Sequence, residues 1–408
     1  MDKLLSLLGM GLLCTIPIGK AHSDWPHFLG PTGDLHAPAL ALGAPKSAWQ
    51  VAANEGFSGP VTANGKAFLY GRSEKNEFVR SFDLATGKTD WQQTWPAVYE
   101  DNYSRGNGPR ATPVCHQGLV IVMGPEGTLR ALSQESGVLA WKWNLPGGMI
   151  PRDAFFGYGF SPAIIQGKLW INPGVEDLGI VALDPKTGKI IHQVPGHKAG
   201  YSTPIPWTIG GKVHGAFVTR EGFSLVDATT AEVIHRIPFR ARSEASVNAA
   251  SPVKIGQRDN AGLFLTACYA TGGYALLGAE KGAKILWKND SSLSSHFATP
   301  IYHKGHLYGF HGRQEEGAQL RCVEAETGLV KWTEDSLGCG WVILCGEEIV
   351  VVAEDGNLTI APATPMAFRP RHNSKPFVGP VRAAPAADRG LLLVRDAKSL
   401  HAMAFGPK

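Results

Sequence analysis

Asp83-Leu84-Ala85-Thr86-Gly87-Lys88-Thr89-Asp90-Trp91 is the first clear copy of a phrase that returns along the chain in a fixed register. Later copies end at Trp141 (SQESGVLAW), His192 (DPKTGKIIH), His235 (DATTAEVIH), Trp287 (AEKGAKILW) and Trp332 (EAETGLVKW). Aligned on the closing ring, Gly87, Gly137, Gly188, Ala231, Ala283 and Gly328 all stand four residues before it. The rings are 50, 51, 43, 52 and 45 residues apart, a period in the range of propellers and solenoids.

The third copy shows what one unit contains. Phe160-Ser161-Pro162-Ala163-Ile164-Ile165 reads as a short apolar strand that turns at Gln166-Gly167-Lys168. Leu169 to Asn172, Gly179 to Leu183 and Lys189 to Val194 read as three more. The Asp-x-x-Thr-Gly-Lys between the last two is hairpin chemistry, with Asp bonding local backbone and Gly taking the left-handed position. Four antiparallel strands joined by tight turns and repeated are the blades of a β-propeller.

A small residue followed by Pro marks each first strand. It occurs at Gly59-Pro60, Thr112-Pro113, Ser161-Pro162, Thr203-Pro204, Ser251-Pro252 and Thr299-Pro300, and in drifted form at Gly338 to Trp341 and Val378 to Val381. Inner strands crowd the axis, which favours small side chains, and Pro at a strand start loses no ladder bond. The count gives eight units, of which the last, Val381 to Phe405, has pattern for three strands only. Lys46-Ser47-Ala48-Trp49-Gln50-Val51 supplies the missing fourth, with Trp49 in the ring position. The expectation is an all-β, eight-bladed propeller of four-stranded blades, closed by this N-terminal strand, which removes free edges; seven blades is the alternative. The domain reading is 1–23 as a signal peptide, 24–45 as an extended segment and 46–408 as the propeller.

Composition agrees. Gly (49) and Pro (28) make up about a fifth of the 408 residues, as suits many short strands joined by turns. The net charge of +4 is spread without a basic block, so nucleic acid is not an expected partner. Lys3, the apolar Leu4 to Ile18 and Ala21-His22-Ser23 spell an export signal with cleavage before Asp24. No later stretch is apolar enough to span a membrane, and Leu13 before Cys14 argues against a lipid anchor. The periplasm is the expected compartment, ahead of the medium. Five cysteines remain after cleavage; Cys339 and Cys345, on one strand pattern, would lie about 20 Å apart, too far for a disulfide. They read as small buried hydrophobes.

The rings Trp49, Trp91, Trp141, His192, His235, Trp287 and Trp332 read as spacers that dock blade on blade, each lying over its own hairpin. Outside the repeat, Asn107-Gly108-Pro109-Arg110 and Pro151-Arg152-Asp153 both enter first strands. Arg110 and Arg152 could grip a carboxylate or phosphate in the funnel, or an Arg–Asp pair involving Asp153 could lock adjacent loops. His296, His303, His306 and His311 crowd one blade, but their strand parity does not converge on one metal. No metal site and no catalytic residue is assigned.

The phrase Ala-Leu-Asp-x-x-Thr-Gly-Lys-x-x-Trp, best kept from Ala182 to His192, resembles the repeat of the pyrroloquinoline-quinone propellers. That superfamily holds quinoprotein alcohol dehydrogenases and the outer-membrane assembly lipoprotein BamB. Asp24-Trp25-Pro26-His27-Phe28-Leu29-Gly30-Pro31 and His296-Phe297-Ala298-Thr299-Pro300 are similar to a secreted, BamB-like subgroup. The dehydrogenase branch implies an adjacent Cys-Cys pair, a calcium held by Glu, Asn and Asp, and often a Cys-x-x-Cys-His haem site; none is matched here. The resemblance therefore implies a non-catalytic, exported scaffold without cofactor, binding an envelope protein or small ligand at its rim or funnel. A dehydrogenase using the quinone with calcium, and a carbohydrate- or anion-binding module, are the alternatives.

Overall fold

Asp83 builds the hairpin that repeats around the molecule. Its Oδ1 accepts from the Thr86 amide at 2.9 Å and from the Thr86 hydroxyl at 2.7 Å, and the Gly87 amide donates to the Asp83 carbonyl at 2.9 Å. Gly87 sits at φ 72°, where a side chain is strained. Asp184 and Asp227 cap their turns in the same way.

The computed structural model describes residues 24–37, 40, 43–101, 103, 106–146, 156–175, 177–240, 243, 248–256, 262–279, 281–401 and 402–406. Residues 1–23, read from the sequence as an export signal, lie outside these residues, as do Arg152 and Asp153. Eight sheets are arranged as blades, each with its strands in radial order. In the first, Val61–Ala63, Lys66–Ser73, Asn76–Asp83 and Thr89–Pro96 run from the axis outwards. The third holds Ala163–Ile165, Lys168–Ile171, Ile180–Leu183 and Ile190–Val194, each within a few residues of its sequence reading. Blades pack on both faces, so inner strands are buried throughout, as in Gly340–Cys345 and Glu348–Ala353. The outermost strands, such as Thr89–Pro96, are half open to solvent. The five cysteines among the described residues are buried and unbridged.

The ring closes as the pattern implied. Pro45–Ala52 pairs antiparallel with Ser399–Phe405 and completes the eighth blade around Ala386–Asp388 and Leu391–Arg395. The inner strand of this blade begins later than its sequence reading: its small-residue-Pro mark is Ala384-Pro385, while Val378 to Val381 belongs to the crossing from blade seven. A second N-terminal strand, His36–Ala37, adds parallel to the inner strand of blade seven. Before it, residues 25–35 run along the axis: the Thr62 amide donates to the Trp25 carbonyl at 2.8 Å, and the Cys115 amide to the Pro26 carbonyl at 2.7 Å. Trp25, Leu29 and Leu35 are buried there. The axis is filled by the chain's own beginning.

The small residues before Pro do more than save space. The Gly59 amide donates to Thr112 Oγ1 (3.0 Å), Thr112 to Ser161 Oγ (2.8 Å), Ser161 to Thr203 Oγ1 (3.1 Å), Thr203 to Ser251 Oγ (3.0 Å) and Ser251 to Thr299 Oγ1 (3.0 Å). These hydroxyls form a girdle stitching blades one to six, satisfying amides that no sheet ladder reaches. Trp341 and Ala384 hold the corresponding places in blades seven and eight. There Trp341 Nε1 donates forward to the Arg382 carbonyl at 2.9 Å, and the buried Arg395 takes over at the seam. Its guanidinium donates to the carbonyls of Ser58 (3.0 Å), Tyr70 (2.7 Å), Ala53 (3.2 Å) and Asn54 (3.3 Å).

Candidate functional site: the axial funnel

Two residues before each girdle position, the chain enters its inner strand at one end of the axis. These entry residues are Phe57, Arg110, Gly159, Tyr201, Ala249, Phe297, Cys339 and Arg382 in blade order. All but Cys339 line a single cavity of about 360 Å³, joined by Phe28 from the axial segment and by Trp341 and Ala384 from the girdle positions. Phe28 meets Trp341 edge-on, with ring centroids 5.5 Å apart at 87°, and Phe297 flanks the same indole at 6.1 Å and 60°. The funnel is thus read out by one position of the repeat, three residues before Pro. That register is visible in the sequence once the units are aligned on Pro instead of on Trp.

Charge is unevenly distributed around this ring. The Arg110 and Arg382 guanidinium carbons lie 5.3 and 5.8 Å from the Phe57 ring centre, and Arg110 also lies 5.2 Å from that of Phe156. Arg110 donates to the carbonyls of Phe156 (3.1 Å) and Gly106 (3.4 Å). Burial lowers its pKa, and Arg382 works in the same direction. Arg382 Nε bonds Glu354 at 2.5 Å. Across the funnel, Arg313 lies over Tyr269 at 4.7 Å and beside Glu315 at 3.6 Å and Glu316 at 3.1 Å.

His296 stands in that second arc. Burial depresses its pKa further below neutrality, so the neutral ring can donate from Nδ1 to Gln314 Oε1 at 2.7 Å and accept from the Tyr269 hydroxyl at Nε2, 3.2 Å away. The other three histidines go elsewhere. His303 bonds Glu347 at 3.1 Å, His306 bonds the Lys304 carbonyl, and His311 accepts the Ser294 amide. Among the described residues no three His, Cys, Asp or Glu side chains come together to hold a metal. Among the described residues Glu315 is the one carboxylate lining the funnel, whereas calcium takes about six to eight oxygen ligands. The described lining residues do not by themselves fit a calcium-and-quinone set.

The repeated rings stand far from the funnel, at the outer ends of the blades. Six of the seven lie on the hairpin of the next blade instead of their own. Trp91 Nε1 donates to the Gln134 carbonyl at 3.0 Å, Trp141 to Pro185 at 3.0 Å, Trp287 to Ala325 at 2.9 Å and Trp332 to Thr364 at 2.8 Å. The hairpin glycine presses on the ring: a Cβ on Gly137 would come within 2.6 Å of Trp91, and one on Gly188 within 2.6 Å of Trp141. His235 lies under Gly282 in the same manner. His192 instead stacks on Trp170 at 6.5 Å, and Lys168 Nζ reaches the Ala228 carbonyl at 2.8 Å.

The family model for outer membrane protein assembly factor BamB matches residues 39–205 and 75–256, more than half of the chain. Among solved structures, BamB from Moraxella catarrhalis superposes with a TM-score of 0.64 at 12% identity, covering 90% of this chain and 99% of that one. The quinohemoprotein alcohol dehydrogenase from Comamonas testosteroni gives a TM-score of 0.64 at 14% identity, over 95% of this chain and 81% of that one. The computationally designed Ika8 protein gives 0.54 at 12%, covering 91% and 99%. No curated protein sequence matches the chain. At these identities the likenesses establish the fold.

Proposed function

Because the chain belongs to the family described as outer membrane protein assembly factor BamB, we propose that it is an exported, non-catalytic binding propeller of the cell envelope whose working surface is the axial funnel. The observation that carries this reading is the convergence of one repeat position from seven blades on one cavity, with aromatic and guanidinium groups where the fold alone asks only for small ones. Pockets that take small ligands are apolar concavities with a few placed polar groups, of roughly 300–1,000 Å³. The export segment read from Lys3 to Ser23 and the family membership support the envelope. Among the described residues Glu315 is the one lining carboxylate, and it is paired with Arg313 while the neutral His296 ring is held by Gln314 and Tyr269, which supports binding without turnover.

Titrating the mature protein with a panel of small carboxylates, saccharides and short peptides tests this directly. At least one class is expected to raise the melting temperature of the wild type and to lose that effect in Ala249→Trp, which fills the funnel. Equal effects on both proteins, or none from any class, would reject the funnel as the binding surface. Dye reduction with an alcohol after adding the quinone and calcium would reject the non-catalytic reading.

A further inference from the structure

The funnel's two arcs differ in a way that narrows what it can hold. Arg382 spends Nε on Glu354, and neither of its Nη groups has a protein acceptor among the described residues. Arg110, from the blade on the other side of Phe57, lies against the same ring, so two like charges flank one aromatic group and an anion in front of that ring is drawn to both. The opposite arc carries its acceptors beside a cation, with Glu315 paired to Arg313 at 3.6 Å. Gln314 Nε2 donates to Glu315 Oε1 at 3.3 Å, and the Glu315 side chain remains 39% exposed. A carboxylate whose charge Arg313 already offsets remains an acceptor for hydroxyl hydrogens. The ligand is therefore anionic at one end and a hydrogen donor at the other.

The walls decide what lies between. Phe28 and Phe297 stand at 87° and 60° to the Trp341 plane, so they present edges and single faces and form no parallel slot for a flat ring. A puckered ring with C–H bonds on both faces fits such a cup, and about 360 Å³ is at the small end of ligand pockets.

Resting on the funnel as the binding surface, we infer that its ligand is an acidic sugar: a pyranose carrying one carboxylate, with the carboxylate toward Arg382 and Arg110 and the hydroxyls toward Glu315 and Gln314. Calorimetry on the mature protein with digalacturonate, neutral digalactose and benzoate tests the class. Digalacturonate is expected to bind about tenfold or more tighter than digalactose, the margin of one charge-assisted contact. Arg382→Gln should bring the two within about twofold of each other. Arg382→Gln combined with Glu354→Gln removes the carboxylate left unpaired, and should behave alike if the single variant fails to fold. Glu315→Gln should weaken both sugars while keeping the preference for the acid. Benzoate binding tighter than digalacturonate, or a preference that survives both Arg382 variants, overturns the acidic sugar while leaving the funnel reading standing. Absence of binding by all three probes overturns the sugar as well, and the broader panel with Ala249→Trp then decides the funnel separately.

Discussion

Trp49 Nε1 donates to the Leu84 carbonyl at 2.9 Å, and its indole lies against Gly87, where a Cβ would come within 2.7 Å. The strand that closes the eighth blade is thereby also docked onto the first. One ring joins the two ends of the circle, a task that Trp91 or Trp141 performs only between blades already consecutive in the chain.

Trp49→Ala should accordingly cost about 3–5 kcal/mol, as buried aromatic truncations do. Trp287→Ala, whose ring is only partly buried, should cost less. Urea unfolding of both variants checks the order. Equal losses would show that closure adds nothing to docking.

Arg395 is the second closure device. Burial lowers its pKa to about 9, which still leaves it charged at neutral pH. Arg395→Met keeps the volume but strands the carbonyls of Ser58, Tyr70, Ala53 and Asn54. A loss of about 4 kcal/mol or more is expected, given about 1–3 kcal/mol for each of the four unmet buried carbonyls. Hydrogen exchange should rise first in Ser399–Phe405 and Pro45–Ala52, the strands next to the seam, if the latch acts as described.

The hydroxyl girdle predicts a smaller effect. Thr203→Val preserves shape but leaves the Ser161 amide without an acceptor, costing about 1–3 kcal/mol. Thr203→Ser should restore most of it. A Val variant as stable as the wild type would mean the amide finds another partner.

Between blades one and two, Glu77 is buried and accepts from the Tyr70 hydroxyl and from Trp95 Nε1 at 3.0 Å. Burial, reinforced by Glu126, pushes its carboxyl up to about 7. A raised carboxyl means that the folded state holds its proton after the unfolded chain, near pH 4.5, has released it. Stability therefore falls as pH rises from about 4.5 to 7 and stays lower above it. Glu77→Gln keeps an acceptor for Tyr70 and Trp95 and should flatten that fall. Melting temperatures of the two proteins at pH 5 and pH 8 test the sign, and a wild type that melts higher at pH 8 would contradict it.

Much of this was legible because a repeat exposes its own constraints. The Asp-Thr-Gly turn at Asp83, the fourth strand around Trp49 and the closure of the ring follow from local turn chemistry and from the need to cover edges. The inner strand of blade eight was misplaced because Gly379-Pro380 imitates the Ser/Thr-Pro mark that Ala384-Pro385 carries. The direction in which each Trp leans was also illegible, since a ring four residues after Gly can reach either hairpin. Arg110 stood out by its chemistry, while Arg382, in the same register, was hidden by the loss of the hydroxyl mark beside it.

By itself, then, the order of residues determined the blades, their number and the strand that closes them, because period, turn residues and edge satisfaction are properties of segments. Only the tertiary structure decided that residues 25–35 fill the axis, that the hydroxyls form a girdle and that Phe57, Arg110, Tyr201 and Arg382 share one cavity. Those relations join positions from different blades, and it is the closing of the ring that turns an equivalent place in each repeat into neighbours around one axis.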